Sequence, residues 1–212
     1  MTTAAAKRIK ADAENPLYFA WRACGLVRNQ WGGWEPKDWR DSRASHQRHQ
    51  LTFQYSWAVP SPEAIAWAAE RCPRIVEIGA GRGYWAKLLA AAGCDVVAYD
   101  KSIHDTGEIV NNEWHTDGAT FFPVEHGYPE RAAGHADRTL FLCWPPYDNA
   151  MAHGAITAYS GQELLYIGEG CGGCCGDDEF WKVIAADWEE IGECDIPQWY
   201  GMHDWMWLYR RK

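Results

Sequence analysis

No apolar run in the 212-residue chain reaches the ~18–20 residues of a membrane span; the longest, such as 88–93 and 140–144, are short. The opening MTTAAAKRIKADAENP lacks the apolar core of a signal peptide, so a soluble, cytoplasmic protein is expected. Basic charge is scarce, with 20 Lys+Arg against 29 Asp+Glu and a net charge of −9. The deficit is uneven. Residues 61–212 carry 11 basic and 24 acidic side chains, a net of −13, whereas residues 1–60 carry 9 and 5, a net of +4. An acidic body argues against non-specific nucleic-acid binding, which depends on neutralising phosphates. The basic, Trp-rich first quarter leaves a local anionic partner open, nucleic acid included. Paired metal-ligand spacing is also missing. Cys171, Cys174 and Cys175 form one C-x-x-C-C cluster with no second C-x-x-C or His pair nearby, so reduced thiols and no metal are expected. Internal repeats are absent.

Aromatics, by contrast, are abundant: 14 Trp and 10 Tyr. Indoles are too large for all of them to be buried, so some must line a surface or a pocket. The 47% apolar content excludes wholesale disorder, and the length suits one domain with an N-terminal extension. Pro16 opens a short helix over 16–27 that ends near Gly25. Residues 29–42, with Gly-Gly and three Trp, read as a loop, and 46–56 fit strand or helix equally. Ser61 and Pro62 open the next helix as N-cap and first residue. Strands are then expected at 74–78, 95–99, 120–124, 139–143 and 163–168. They alternate with helices over 84–92, 129–135, 149–159 and 178–188, the last placing Trp181, Ile184, Ala185 and Trp188 on one face. Residues 101–118 show no period, and 190–194 with 205–209 form a closing hairpin. Such alternation predicts an α/β fold with a mainly parallel sheet.

The sharpest signal is RIVEIGAGRGYWAKLLAAAGCDVVAYDK over 74–101: strand, glycine turn, helix, strand, with Asp100 ending the second strand. A carboxylate there can accept from both hydroxyls of a ribose. The dinucleotide fingerprint G-x-G-x-x-G is not met, because Tyr84 stands where its third glycine would be. The segment Glu77-Ile78-Gly79-Ala80-Gly81-Arg82-Gly83 instead resembles motif I of class I S-adenosylmethionine (SAM)-dependent methyltransferases. From residue 56 to the C-terminus, SWAVPSPEA, VEIGAGRGYWAKLL, CWPPYD and LLYIGEGCGGCCGDDEF resemble a widespread group of uncharacterised methyltransferase-like proteins from microbes and plants. The resemblance implies a Rossmann-like, seven-stranded sheet with helices on both faces and an antiparallel last hairpin, over 56–212. It implies SAM as cofactor, held by Glu77, Gly79, Gly81, Gly83, Asp100, Lys101 and Cys143.

Cys143-Trp144-Pro145-Pro146-Tyr147-Asp148 follows the fourth strand and resembles the D/N/S-P-P-Y/F/W motif of amino-methyltransferases, except that Trp144 replaces the polar first residue. Trp57, Trp144, Tyr147 and Glu169 are the expected acceptor-binding residues, with Trp144 and Tyr147 as a wall for a planar or cationic acceptor. Tyr147, Asp148 and His203 are the catalytic candidates; Glu169 and Asp204 are further candidate bases. Residues 1–55 form an extension or substrate lid, with Trp21, Trp31, Trp34, Trp39, His46, Arg48 and His49 beside Trp57. The resemblance implies methyl transfer to a small-molecule acceptor. Amino-methylation of a nucleobase or protein side chain, and a non-catalytic SAM-binding or interaction role, are the alternatives.

Overall fold

The computed structural model describes residues 14–30, 32–38 and 43–212, and only the backbone of 43–46. In chain order the elements are α1 (Pro16–Ala23), β1 (Leu26–Arg28), β2 (Trp34–Pro36), α2 (Arg43–Gln54), α3 (Pro62–Arg71), β3 (Arg74–Ile78), α4 (Tyr84–Ala91), β4 (Asp95–Asp100), β5 (Glu108–Ile109), β6 (Gly118–Ala119) and β7 (Glu125–His126). A 3-10 turn (Pro129–Gly134) precedes β8 (Thr139–Cys143), α5 (Met151–Ala158), β9 (Glu163–Gly168), α6 (Asp178–Asp187), β10 (Trp188–Cys194) and β11 (Trp205–Arg211).

The main sheet has seven strands in the order β10-β11-β9-β8-β3-β4-β7. Pairs from β9 to β7 are parallel, and β11 runs antiparallel to both β9 and β10. This is the expected Rossmann-like α/β architecture. Side chains alternate between its faces, as period-two geometry requires. Ile75, Phe141, Leu165 and Ile167 pack under α1, α3 and α4, while Val76, Leu140, Leu142, Leu164 and Tyr166 pack under α5 and α6. After β3 the chain moves outward through β4 to β7, then returns to place β8 on the other side of β3. That reversal opens a crevice at the carboxyl ends of β3 and β8, the usual ligand position in open α/β sheets.

Ser61 caps α3 as its sequence predicts, its hydroxyl accepting from the Ala64 N–H at 3.1 Å. Ser61→Ala is expected to cost about 1 kcal/mol, measured as a lower urea midpoint with an unchanged slope.

Three expectations change and one open reading is settled. The segment read as a loop contains the β1–β2 hairpin, closed by Asn29, whose N–H donates to Gly33 O at 2.8 Å and whose side chain accepts the Gly33 N–H. Three-residue strands are too short to display a period. The ambiguous 46–56 segment lies largely in the helix α2. The third strand sits at Glu125–His126 rather than 120–124, because Phe121 turns away to stack on Tyr55 at 5.5 Å and its N–H donates to Arg82 O. Finally, α6 buries Phe180 and Ile184 and exposes Ala185. Trp188 opens β10 with extended backbone, its ring stacked on Tyr159.

Candidate functional site

A cavity of about 800 Å³ lies at the carboxyl ends of β3, β4 and β8. Its floor is the glycine turn after β3. Gly79 and Ala80 both donate their N–H to Tyr99 O, at 2.9 and 3.0 Å. Gly81 adopts φ +54, and a Cβ there would strike the His115 imidazole. Glycine is therefore required at 81 for both conformation and space.

Two buried acids flank this turn. Asp100 ends β4, and each of its oxygens accepts one backbone N–H, from Gly81 and from Ser102, both at 2.8 Å. Each oxygen keeps a further lone pair for a ligand. Glu77 on β3 is 2% exposed, and its Oε2 has no hydrogen-bond partner. Burial first, and then the Asp100 charge, push its pKa up to about 8 against the Ala86 N–H. A buried, unpartnered carboxyl on a cavity wall is the complement of a ligand ammonium.

The opposite wall is aromatic. Trp144 follows β8 with φ +50; its N–H donates to Ile167 O at 2.7 Å, and its indole N–H to Asp204 Oδ2 at 2.9 Å. Trp57 stacks on Trp144 with centroids 5.2 Å apart, and Trp114 meets Trp57 edge-on at 6.5 Å. Tyr147 lines the rim and is well exposed. The Pro-Pro turn is stapled to the glycine- and cysteine-rich loop, since Gly176 donates to Pro145 O and accepts from the Asp148 N–H. Cys175 is buried, with its sulfur accepting the Glu169 N–H. Among the described residues, no cluster of three or more His, Cys, Asp or Glu side chains is arranged to hold a metal.

The structure thus brings Glu77, Gly79, Asp100, Lys101, Cys143, Trp57, Trp144 and Tyr147 to one cavity. Burial, and then the Glu77 charge, raise the Cys143 thiol well above its ordinary range. Gly81 and Gly83 lie beneath the lining, where Gly83 (φ +72) caps α4. Asp148 lies outside the lining. Glu169 and His203 line an adjoining hollow of about 510 Å³, which shares Cys174 and Met202 with the main cavity. Glu169 accepts the backbone N–H groups of Cys174 and His203, both at 2.9 Å. Burial alone would raise its pKa, but those donors outweigh it and leave the group below the ordinary value. The His203 ring itself is 80% exposed.

Asp204 does not adjoin His203 chemically. It is buried behind Trp144, with Oδ1 unpartnered, and burial pushes its pKa up to about 7. In the N-terminal segment, Leu17 and Trp21 join the core, and the Trp21 indole N–H donates to Gln198 O. Trp34 meets Trp21 edge-on, Arg48 donates to Tyr200 O, and His49 packs on Phe53. Trp31, Trp39 and the His46 side chain lie outside the described residues. Tyr84, at the third-glycine position, is buried; its hydroxyl accepts the Leu17 N–H and donates to Asn15 Oδ1. A glycine there would leave α1 without this anchor.

Sequence reasoning missed Trp114 and His115. Both sit in the aperiodic 101–118 stretch, where the only signal was an indole beside an imidazole. Arg82 clamps this stretch over the glycine turn, donating to Ala119 O, Thr116 Oγ1 and Gln54 O.

The chain matches no family model and no curated protein. It is similar in structure to magnesium protoporphyrin IX methyltransferase from Synechocystis PCC 6803 with bound SAH, at 14% identity and TM-score 0.47 over 97% of this chain and 100% of that one. It is also similar to 1,6-didemethyltoxoflavin-N1-methyltransferase from Burkholderia thailandensis, at 12% identity and TM-score 0.45 over 97% of this chain and 90% of that one. The N-methyltransferase NodS from Bradyrhizobium japonicum WM9 matches at 10% identity and TM-score 0.40 over 81% of this chain and 98% of that one.

Proposed function

We propose that the protein is a SAM-dependent methyltransferase acting on a small-molecule acceptor. The observation that carries this reading is the pair of buried acids, Glu77 and Asp100, flanking a bare glycine turn on adjacent strands, with one carboxyl oxygen of Glu77 unpartnered. Glu77 would hold the cofactor's ammonium, Gly79 its close approach to the backbone, and Asp100 its ribose hydroxyls. When bound, SAM would supply a sulfonium methyl whose carbon an acceptor lone pair attacks in line, with the neutral thioether leaving and the acceptor's proton released to water. The residues lining the cavity align the two partners and exclude water, which is most of what such a displacement needs from a protein. The acidic body supports a small acceptor over a polyanion.

Titration calorimetry with SAM, S-adenosylhomocysteine (SAH) and NAD tests the reading. Micromolar binding of the sulfur nucleosides and none of NAD is expected, and failure of SAH to bind overturns it. Binding should also move a proton through Glu77. Below about pH 8 the neutral Glu77 acid must ionise to pair with an ammonium, so binding releases a proton and tightens as pH rises, by at most about tenfold per unit. Above about pH 8 the free ammonium deprotonates and the dependence reverses. Calorimetry in two buffers of different ionisation heat reads the proton count; no release at neutral pH would remove Glu77 from this role.

A further inference from the structure

We propose that the acceptor is a planar heteroaromatic amine that stacks on the Trp57–Trp114–Trp144 wall. Only the reaction rests on the SAM reading; the stacking stands on the wall itself. The three indoles come from distant parts of the chain: Trp57 ahead of α3, Trp114 between β5 and β6, and Trp144 after β8. Their convergence on one side of the cavity is therefore a product of the fold rather than of local sequence.

The wall is held in place from behind. Asp204 takes the Trp144 indole N–H, and the Trp199 indole N–H fixes the Trp57 carbonyl at 3.1 Å. With its one donor turned to Asp204 and one ring face covered by Trp57, Trp144 offers a ligand its other face rather than a hydrogen bond, while Trp114 stands edge-on to Trp57. A preformed aromatic surface binds a flat partner without paying to order side chains. The cavity's charged lining adds a sign preference. Among the described residues, Asp100, Glu113 and Glu130 line it against Lys101 and the imidazoles of His115 and His153, apart from the buried Glu77. Indole faces also attract cations. A planar anion is disfavoured on both counts, and an aliphatic amine forgoes the stacking. In the transfer, the reacting amine nitrogen is unprotonated, any positive charge lying elsewhere in the ring system; its lone pair forms the N–CH3 bond as the S–CH3 bond breaks, that bond's electron pair stays on sulfur, and an N–H proton then passes to water.

The test uses calorimetry on the full chain, with and without saturating SAH. The probes are 9-aminoacridine, cyclohexylamine as the aliphatic cation and 2-naphthalenesulfonate as the planar anion. We expect 9-aminoacridine to bind at least about tenfold tighter than either control. Trp57→Leu and Trp114→Leu should each weaken that probe by about fivefold or more, while SAH affinity, measured on the same samples, reports that the variants are folded. Equal binding of cyclohexylamine, or probe affinity indifferent to both substitutions while SAH still binds, overturns the acceptor class and leaves the cofactor reading intact. Probe binding that depends on both tryptophans in a protein that does not bind SAH would support the aromatic site and overturn the cofactor reading.

Discussion

Asp100→Ala is expected to weaken SAH binding by at least about a hundredfold, a loss of roughly 2.7 kcal/mol. Two effects combine. The carboxylate is the acceptor for the Gly81 and Ser102 N–H groups, and a buried donor left unpaired costs about 1–3 kcal/mol. Gly81 belongs to the glycine turn against which the cofactor would lie and Ser102 to the turn after β4, so both ends of the cavity floor loosen before any ligand arrives. The hydroxyls of a bound ribose also lose a charged acceptor, worth about 1.5–3 kcal/mol per hydrogen bond. Asp100→Asn separates the two effects, since its amide oxygen can serve one backbone donor but its NH2 group cannot serve the other. It should retain the fold by circular dichroism and bind SAH more weakly than the native protein, though better than the alanine variant. An alanine variant that binds within threefold of the native protein would sink the assignment of Asp100 to the cofactor.

Glu77 and Asp204 should withdraw stability as pH rises from about 4 to 8, the opposite of buried acids that are ion-paired. Glu77 and Asp204 both bind their protons more tightly when folded, with pKa values pushed up to about 8 and about 7 from 4.5 and 3.8. Below the unfolded values both states are protonated and no penalty applies. Between the unfolded and folded values the native state holds the extra protons, so raising the pH withdraws stability; above the folded values the loss is complete. The gap between folded and unfolded values corresponds to no more than about 5 kcal/mol for each acid. Glu77→Gln and Asp204→Asn should therefore unfold at higher temperature than the native protein near pH 8 and near-equally at pH 4. Calorimetric melts across that range decide the matter; variants that gain nothing over the native protein between pH 4 and pH 8 would contradict the burial of these acids as uncharged groups. Glu77→Gln should at the same time lose the proton release on SAH binding, which separates its ligand role from its effect on the fold.

The part of the site that could be read in advance is the part built from contiguous residues. Residues 74–101 place Glu77, the glycines and Asp100 within one strand-turn-helix-strand unit, where local periodicity and backbone preference act together. Trp144 and Tyr147 were likewise legible, because Pro145-Pro146 must end a strand. Asp148, Glu169 and His203 were chosen for chemistry near strand ends and turns. Sequence adjacency could not tell which side of the adjoining loop each would take. Asp148 is exposed, with its N–H held by Gly176 O, and the Glu169 oxygens accept from the backbone of its own loop and of His203. Trp114 and His115 had no pattern to reveal them, since their stretch is positioned by Arg82 and the turn beneath it rather than by a repeating element.

By itself, the sequence determined the alternation of strands and helices, the bare turn, the acids on either side of it and the aromatic richness of the chain. These follow from hydrophobic period, glycine's access to positive φ and the capping chemistry of Ser61 and Pro62, all of which act within about ten residues. The tertiary structure alone decided that Trp57, Trp114 and Trp144 share a wall, that Asp204 stands behind it, and that Glu77 retains an unpartnered oxygen. Those facts depend on strand order and on which groups exclude water from one another, and such long-range packing leaves no period along the chain.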